Sequence, residues 1–548
     1  MKKRVMAVLM TAVMTASLTA CGGSSEGGSA GGSTGAAPAN AEKASAQTQD
    51  VLVIQDSDWE GVDLFQVSSW NDMQSLLADT ILGTDPETKE ATPNIASESV
   101  WSEDGLTWTL TFPEGMYYST GEQLEPEDFV ASVEYGKEVS EYADGYTNIE
   151  SMEIDGRNVI VHLSEYQADM EYNFESCFVG VIDKDEIDNM SKDDKLWGCH
   201  PYGAYYLDEY EPGAYAILKA NPGYKTYNPF VENKGACPIQ TIKVVFSGES
   251  FTFAEGIQNG EYDVLSEVPM EYYDELCANS DVTVTEASGA QIYYAEFNMT
   301  DPILSDINVR KAIIKGMSRD NLSAYMDATL KPAYSLILSK CLNYSEEAVD
   351  YYKANYDYDP EAAKQLLADA GWTDTDGDGI VDKDGTPLSF TFDCRDTESS
   401  KSIVQSLQID MKAIGIDMQI TTQDWSYVNQ DVRDGNFQMA YLGLGWSEPF
   451  LLMDMFCQRN PECTNPDPEG QEALVAEARK IVDFEKRTEA ITELQKKIMD
   501  YCTLLPFADS SCYRVWRSEI KGIKYTVNGG FWLNDVVTDA NGNFRNVQ

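Results

Sequence analysis

Leu388-Ser389-Phe390-Thr391-Phe392 alternates apolar and polar side chains, the period of a strand with one buried face. Ser402 to Ala413 then has helical spacing, and Gly415 stands where it can stop that helix. Beyond it Ile416, Met418 and Ile420 alternate again. Strand, helix and strand at this spacing form a βαβ unit, whose strands should be parallel with a right-handed crossover. The fold class is therefore α/β.

Working outward, Asp50 to Ile54 reads as an opening strand. Trp108 to Phe112 and Asn158 to Leu163 are half-buried strands. Glu125-Pro126-Glu127-Asp128 opens a helix: proline suits its first turn, and the acids suit its positive end. Phe129, Val130 and Val133 give that helix an apolar face. Asp306 is placed to cap Ile307 to Met317, where Val309, Ala312, Ile313 and Gly316 share a face. Asp359-Pro360-Glu361 starts another helix that Gly371 can end, and Glu472 to Tyr501 reads as one helical stretch. The chain is mixed α/β in at least two lobes, without internal repeats.

The 548 residues would make roughly three or four domains at ~150 each. Apolar residues are 43% of the chain, enough for large cores. Thirty-nine Lys and Arg against 92 Asp and Glu leave a formal charge of −53, which argues against nucleic acid or anionic headgroups as partners. The only two histidines, His162 and His200, nearly exclude histidine-built metal sites and catalysis.

Met1-Lys2-Lys3-Arg4 is basic, and Val5 to Thr19 is apolar and small. That run is short of the ~20 residues of a membrane span and fits a secretion signal. It ends Leu18-Thr19-Ala20-Cys21-Gly22, which resembles the lipobox of bacterial lipoproteins and implies lipidation of Cys21. Residues 22–49, rich in Gly, Ser and Ala, form a tether that would span roughly 30 Å as a random coil. The protein is thus expected outside the cytoplasm, held to the bacterial membrane by lipid. Of the ten further cysteines none forms a CxxC pair; Cys457 and Cys463, flanking Asn460-Pro461, are the best disulfide candidates.

Several stretches, in order, resemble the oligopeptide- and dipeptide-binding family of solute-binding proteins of bacterial ABC importers (family 5). They are Trp101 to Phe112 with Pro113 to Phe129, Pro201-Tyr202-Gly203-Ala204-Tyr205-Tyr206-Leu207, Glu211-Pro212-Gly213, Asn221-Pro222-Gly223-Tyr224 and Gly260-Glu261-Tyr262-Asp263. Ser305 to Ala312 with Ser318-Arg319-Asp320, Tyr358 to Trp372, and Ile414 to Phe437 continue the set. The resemblance implies a periplasmic-binding-protein type 2 fold, two main lobes with a hinge plus an extra α/β subdomain. Lobe I would be 50–72, 197–297 and 513–548, the extra subdomain 73–196, and lobe II 298–512. It further implies capture of a small solute or peptide in an interlobe cleft and delivery to permease subunits driven by a separate ATPase.

Ligands of such folds lie at strand ends between lobes. The loop after Phe392 therefore offers Arg395 to a carboxylate, unless Arg395 pairs with Asp393 or Asp396. Trp446 is a candidate ligand wall. In peptide-binding relatives an acid after this tryptophan holds the peptide amine, but here the segment to Pro449 is shortened and Glu448 is the only acid left. Trp425, Tyr427 and Trp70 are candidate aromatic contacts, and Asn298 resembles the family's hinge asparagine. Asp374, Asp376, Asp378 and Asp382 match the early positions of a calcium loop, but the twelfth position is Gly385 rather than Glu. A polar hairpin turn is the competing reading, and no other cofactor is expected. Oligosaccharide or metal-chelate binding remain open within the family. A secreted hydrolase is the distant alternative, because HExxH, GxSxG and Walker patterns are missing from the sequence.

Overall fold

In a computed structural model, residues 50–548 are described apart from 68–72, 89, 141–142, 176–178, 247, 249, 267, 288–290, 327–329, 340, 446–447, 459–460, 526–529, 546 and 548. Three main sheets organise them. The first has seven strands in the order Val282–Ala287, Cys512–Arg517, Val264–Leu265, Leu52–Gln55, Thr241–Val245, Tyr215–Ala220 and Tyr205–Glu211. The second has six, in the order Leu330–Pro332, Leu504–Ser510, Ile292–Phe297, Met439–Leu444, Ser389–Arg395 and Asp417–Gln423. A small antiparallel sheet orders Glu98–Trp101, Thr107–Thr111, Asn158–Leu163 and Ile149–Asp155.

The βαβ unit is present: Ser389–Arg395 and Asp417–Gln423 are parallel in register from Ser389↔Asp417 to Arg395↔Gln423. The helix between them, Glu398–Ala413, buries Ile403, Val404, Leu407 and Met411. Gly415 follows it at φ +87°, a conformation that favours glycine. The caps expected at Asp306 and Asp359 also form, accepting from the Asn308 and Ala362 amides.

Two readings need correction. Ile292–Phe297, assigned from sequence to lobe I, lies inside the second sheet between Met439–Leu444 and Leu504–Ser510. Its burial at nearly every position suits a central strand with partners on both sides. The stretch read as one helix is two, Pro468–Arg479 and Phe484–Tyr501. The Asp483 carboxylate accepts from the Lys486 amide and restarts the helix there.

Among the described strands, the chain passes from the first large sheet, which it leaves at Ala287, to the second, which it enters at Ile292, and returns at Ser511. The small sheet shares one apolar core with the first sheet, while the second sheet has a core of its own. Residues of the quoted motifs join segments that are distant in sequence. Asn221 Nδ2 donates to Tyr117 O and Gly203 O, at 2.9 and 3.2 Å. Asp263 accepts from the Val53 amide at 2.8 Å and pairs with Arg545, so it fastens the first strand to the chain's last residues. Arg319 lies between the Tyr334 and Tyr352 rings, 4.4 and 4.8 Å from their centroids, and donates to Ala333 O and Pro506 O.

Several enclosed acids make stability fall as pH rises. Burial, opposed by the Tyr224 hydroxyl, pushes Asp79 up to about 7; burial likewise raises Asp128 and Asp393 to about 6. An unfolded aspartate titrates near ~4, so between that value and the raised one the folded state binds more protons than the unfolded state. Stability therefore increases as pH falls through this window. The melting temperature should rise from pH 7.5 to 5.5, and Asp79→Asn should flatten the rise. Parallel melting curves for the two proteins would show that Asp79 carries none of this dependence.

Candidate functional site

The sequence candidates fall into distinct places. Arg395 ends its strand exposed to solvent. Its parallel neighbour runs directly into Asp424, whose carboxylate caps the helix Trp425–Asp434 by accepting from the Ser426 amide at 3.0 Å. The Ser426 amide and hydroxyl, with a smaller contribution from the Arg395 guanidinium, hold Asp424 below the usual carboxylate range. Trp425 is half-buried against the second core, and Tyr427 is 66% exposed. Arg395 and the helix start that carries Asp424, Trp425 and Tyr427 thus lie at the same end of neighbouring strands. The competing partners for Arg395 are engaged elsewhere. Asp396 pairs with Lys401 at 2.6 Å, and the buried Asp393 takes a hydrogen bond from the Thr421 side chain.

Leu444, pointing toward the same end of the sheet, pairs with Ile292 beside the first chain crossing. Trp446 and Trp70 lie outside the described residues, as does Cys21. Glu448 is buried, and its Oε1 accepts from the Phe450 amide at 2.6 Å, at the start of the helix Pro449–Gln458. Its charge acts on Arg479. It is therefore no solvated turn residue.

Asn298 stands apart, at the opposite end of the strand Met439–Leu444. Its amide donates to Gly435 O and Phe437 O, at 3.1 and 2.8 Å, and its oxygen accepts from Thr300. With both ends of its amide engaged and 4% exposure, it ties loops beneath the sheet rather than facing the strand end at Arg395. Cys457 and Cys463 are free thiols, which corrects the disulfide expectation. The Cys457 thiol bonds Gln471 Oε1 at 3.2 Å, while Cys463 lies by Thr300.

Asp374, Asp376 and Asp378 come together with carboxylate oxygens within 4.8 Å of one another, all exposed. Asp374 already accepts from the Gly377 and Gly379 amides. Asp382 turns back to Thr375, bonding its amide and hydroxyl. The loop is thus organised as a turn, with three of the four expected acids converging.

Arg479 is the residue that sequence reading missed. It donates to Asp454 at 2.7 Å and forms an ion pair with Asp169 at 3.1 Å. Burial opposes its charge, but Asp169, Asp454 and Glu448 hold it and push its pKa up. In the sequence it was visible only as a cation in the last turn of a helix, where cations are common.

The family model described as "Bacterial extracellular solute-binding proteins, family 5 Middle" matches residues 90–462. The chain belongs to this family. It is 24% identical over 387 residues to the oligopeptide-binding protein AppA of Bacillus subtilis, covering 69% of each chain. It is 23% identical over 470 residues to the dipeptide-binding protein of Escherichia coli, covering 79% of this chain and 84% of that one. Among solved structures, NikA from Brucella suis in complex with Fe(III)-EDTA matches with a TM-score of 0.74 at 19% identity, covering 89% of this chain and all of that one. The protein is a solute-binding protein of an ABC transporter, working with permease and ATPase subunits. Among the described residues, no helix is long and apolar enough to cross a membrane.

Proposed function

We propose that the protein captures peptides outside the cytoplasm and hands them to an ABC permease, tethered to the membrane through lipid on Cys21. The bodies around the two large sheets would close over the peptide by turning about the two chain crossings. Arg395 would pair with a ligand carboxylate through two parallel hydrogen bonds, while Trp425 and Tyr427 would lie against its side chains. The observation that carries this reading is the exposed Arg395 at the end of a parallel strand, the same end at which the neighbouring strand runs into Trp425 and Tyr427. The similarity to oligopeptide- and dipeptide-binding proteins supports the ligand class. A metal chelate is the second reading, favoured by the likeness to a structure holding Fe(III)-EDTA; its carboxylates would suit the same arginine.

The test is the melting temperature of the purified protein with tryptic casein peptides, Fe(III)-EDTA or oligosaccharides. A ligand at a hundred times its Kd adds ~2.7 kcal/mol. Peptides should raise the melting temperature. Arg395→Gln should cut that shift at equal peptide concentration, corresponding to about tenfold or more in affinity, while leaving the ligand-free melting temperature nearly unchanged because Arg395 is exposed. A shift with chelates or sugars alone would retire the peptide reading.

A further inference from the structure

Among the described residues, the small-sheet body and the second large body meet at a contact made of several side chains. The segment Glu165 to Asp169, between the strand Asn158–Leu163 and the helix Asp169–Glu175, reaches the break between Pro468–Arg479 and Phe484–Tyr501. There the Ala168 amide donates to Arg479 O at 2.8 Å, and Asp169 forms an ion pair with the Arg479 guanidinium at 3.1 Å. Lys480 pairs with Glu165 at 3.1 Å, and Arg487 donates to the Tyr166 hydroxyl at 3.3 Å. Tyr166 and Ala168 are buried with the second core, and the Tyr166 ring meets Trp101 edge-on at 5.2 Å.

We propose that Glu165 to Asp169 is a reversible clasp whose engagement helps set the balance between open and closed forms of the protein. A turn that separates the large bodies would strain or release this contact, because its two sides belong to different bodies. On release, the two arginines of the second body keep partners of their own. Arg479 keeps Asp454 at 2.7 Å and stays within reach of the Glu448 charge on its own body. Arg487 keeps the Ile481 and Val482 carbonyls, at 2.9 and 3.3 Å. Glu165, Asp169 and Lys480 would pass into water, where ions are well solvated. A permanent joint has no need of this provision. Arg479 also lies within reach of the charge of Glu448, which stands at the start of the helix Pro449–Gln458. The proposal rests on the closing motion of the preceding section, but its test needs no ligand.

Small-angle scattering of the ligand-free full chain and amide exchange at Ala168 read the clasp directly. Asp169→Asn and Glu165→Lys should each raise the radius of gyration and speed exchange of the Ala168 amide, shifting the open–closed ratio about tenfold for Asp169→Asn. Adding Lys480→Glu to Glu165→Lys should restore both readings toward the parent. If the melting temperature falls while the radius of gyration and Ala168 exchange stay as in the parent, the contact is a fixed joint and the proposal fails. If the variants open the protein but no peptide, chelate or sugar binds the parent, the clasp stands and the proposed ligand class falls.

Discussion

Arg310→Ala should destabilise the protein by about 3–5 kcal/mol, although Arg310 belongs to one of the motifs that suggested the family. The side chain is 4% exposed. Its Nε donates to Cys502 O at 2.9 Å, one terminal nitrogen to Leu304 O and Ser305 O at 2.7 and 3.0 Å, and the other to Tyr501 O at 3.0 Å. Tyr501 and Cys502 end the helix Phe484–Tyr501, and Cys502 adopts φ +52°. The guanidinium thus collects carbonyls that the helix end leaves without partners. Alanine would leave the buried Cys502 and Leu304 carbonyls without this partner and the Ser305 and Tyr501 carbonyls to water. Lysine has one ammonium centre in place of a planar fork, so Arg310→Lys should recover only part of the loss. Urea unfolding followed by circular dichroism measures this. An Arg310→Ala protein as stable as its parent would mean that the carbonyls find water or other donors.

Gly203→Ala should cost at least about 3 kcal/mol. A β-carbon there would stand 2.3 Å from Leu77 O, 2.4 Å from the Leu77 carbonyl carbon and 2.8 Å from the Ala78 nitrogen. These are backbone atoms, and their surroundings are tied: the Asp79 amide donates to Tyr202 O at 2.8 Å, and Gly203 O accepts from Asn221. The small-sheet body and the first large body are pressed together at this point, so relief requires them to part. Gly235→Ala is the control, because its nearest neighbour would be the Asn233 side-chain oxygen at 3.7 Å. Equal melting temperatures for the two variants would remove close approach as the reason for glycine at 203.

These two residues show why the quoted motifs identified the family better than they located the ligand. Arg310, Arg319, Gly203, Asn221 and Asp263 all act at joints between segments distant in sequence. A sequence displays such residues but not the carbonyls or backbones they meet. The ligand candidates divided for the same reason. Arg395, Trp425 and Tyr427 were legible as candidates because strand-to-helix turns place them locally. Asn298 read equally well but is turned beneath the sheet, and Glu448 is buried at a helix start.

The sequence by itself determined what depends on neighbours along the chain: the succession of strand, helix and strand in the βαβ unit, the caps at Asp306 and Asp359, the stop at Gly415 and the acidic balance. Period and capping chemistry act over a few residues, so they are legible in order. Only the tertiary structure decided that Ile292–Phe297 joins the second sheet, that the long helical stretch breaks before Asp483, and that Arg479 links Asp169 to Asp454. Pairing partners, burial and the fate of a buried charge depend on contacts between remote segments, and no local period encodes them.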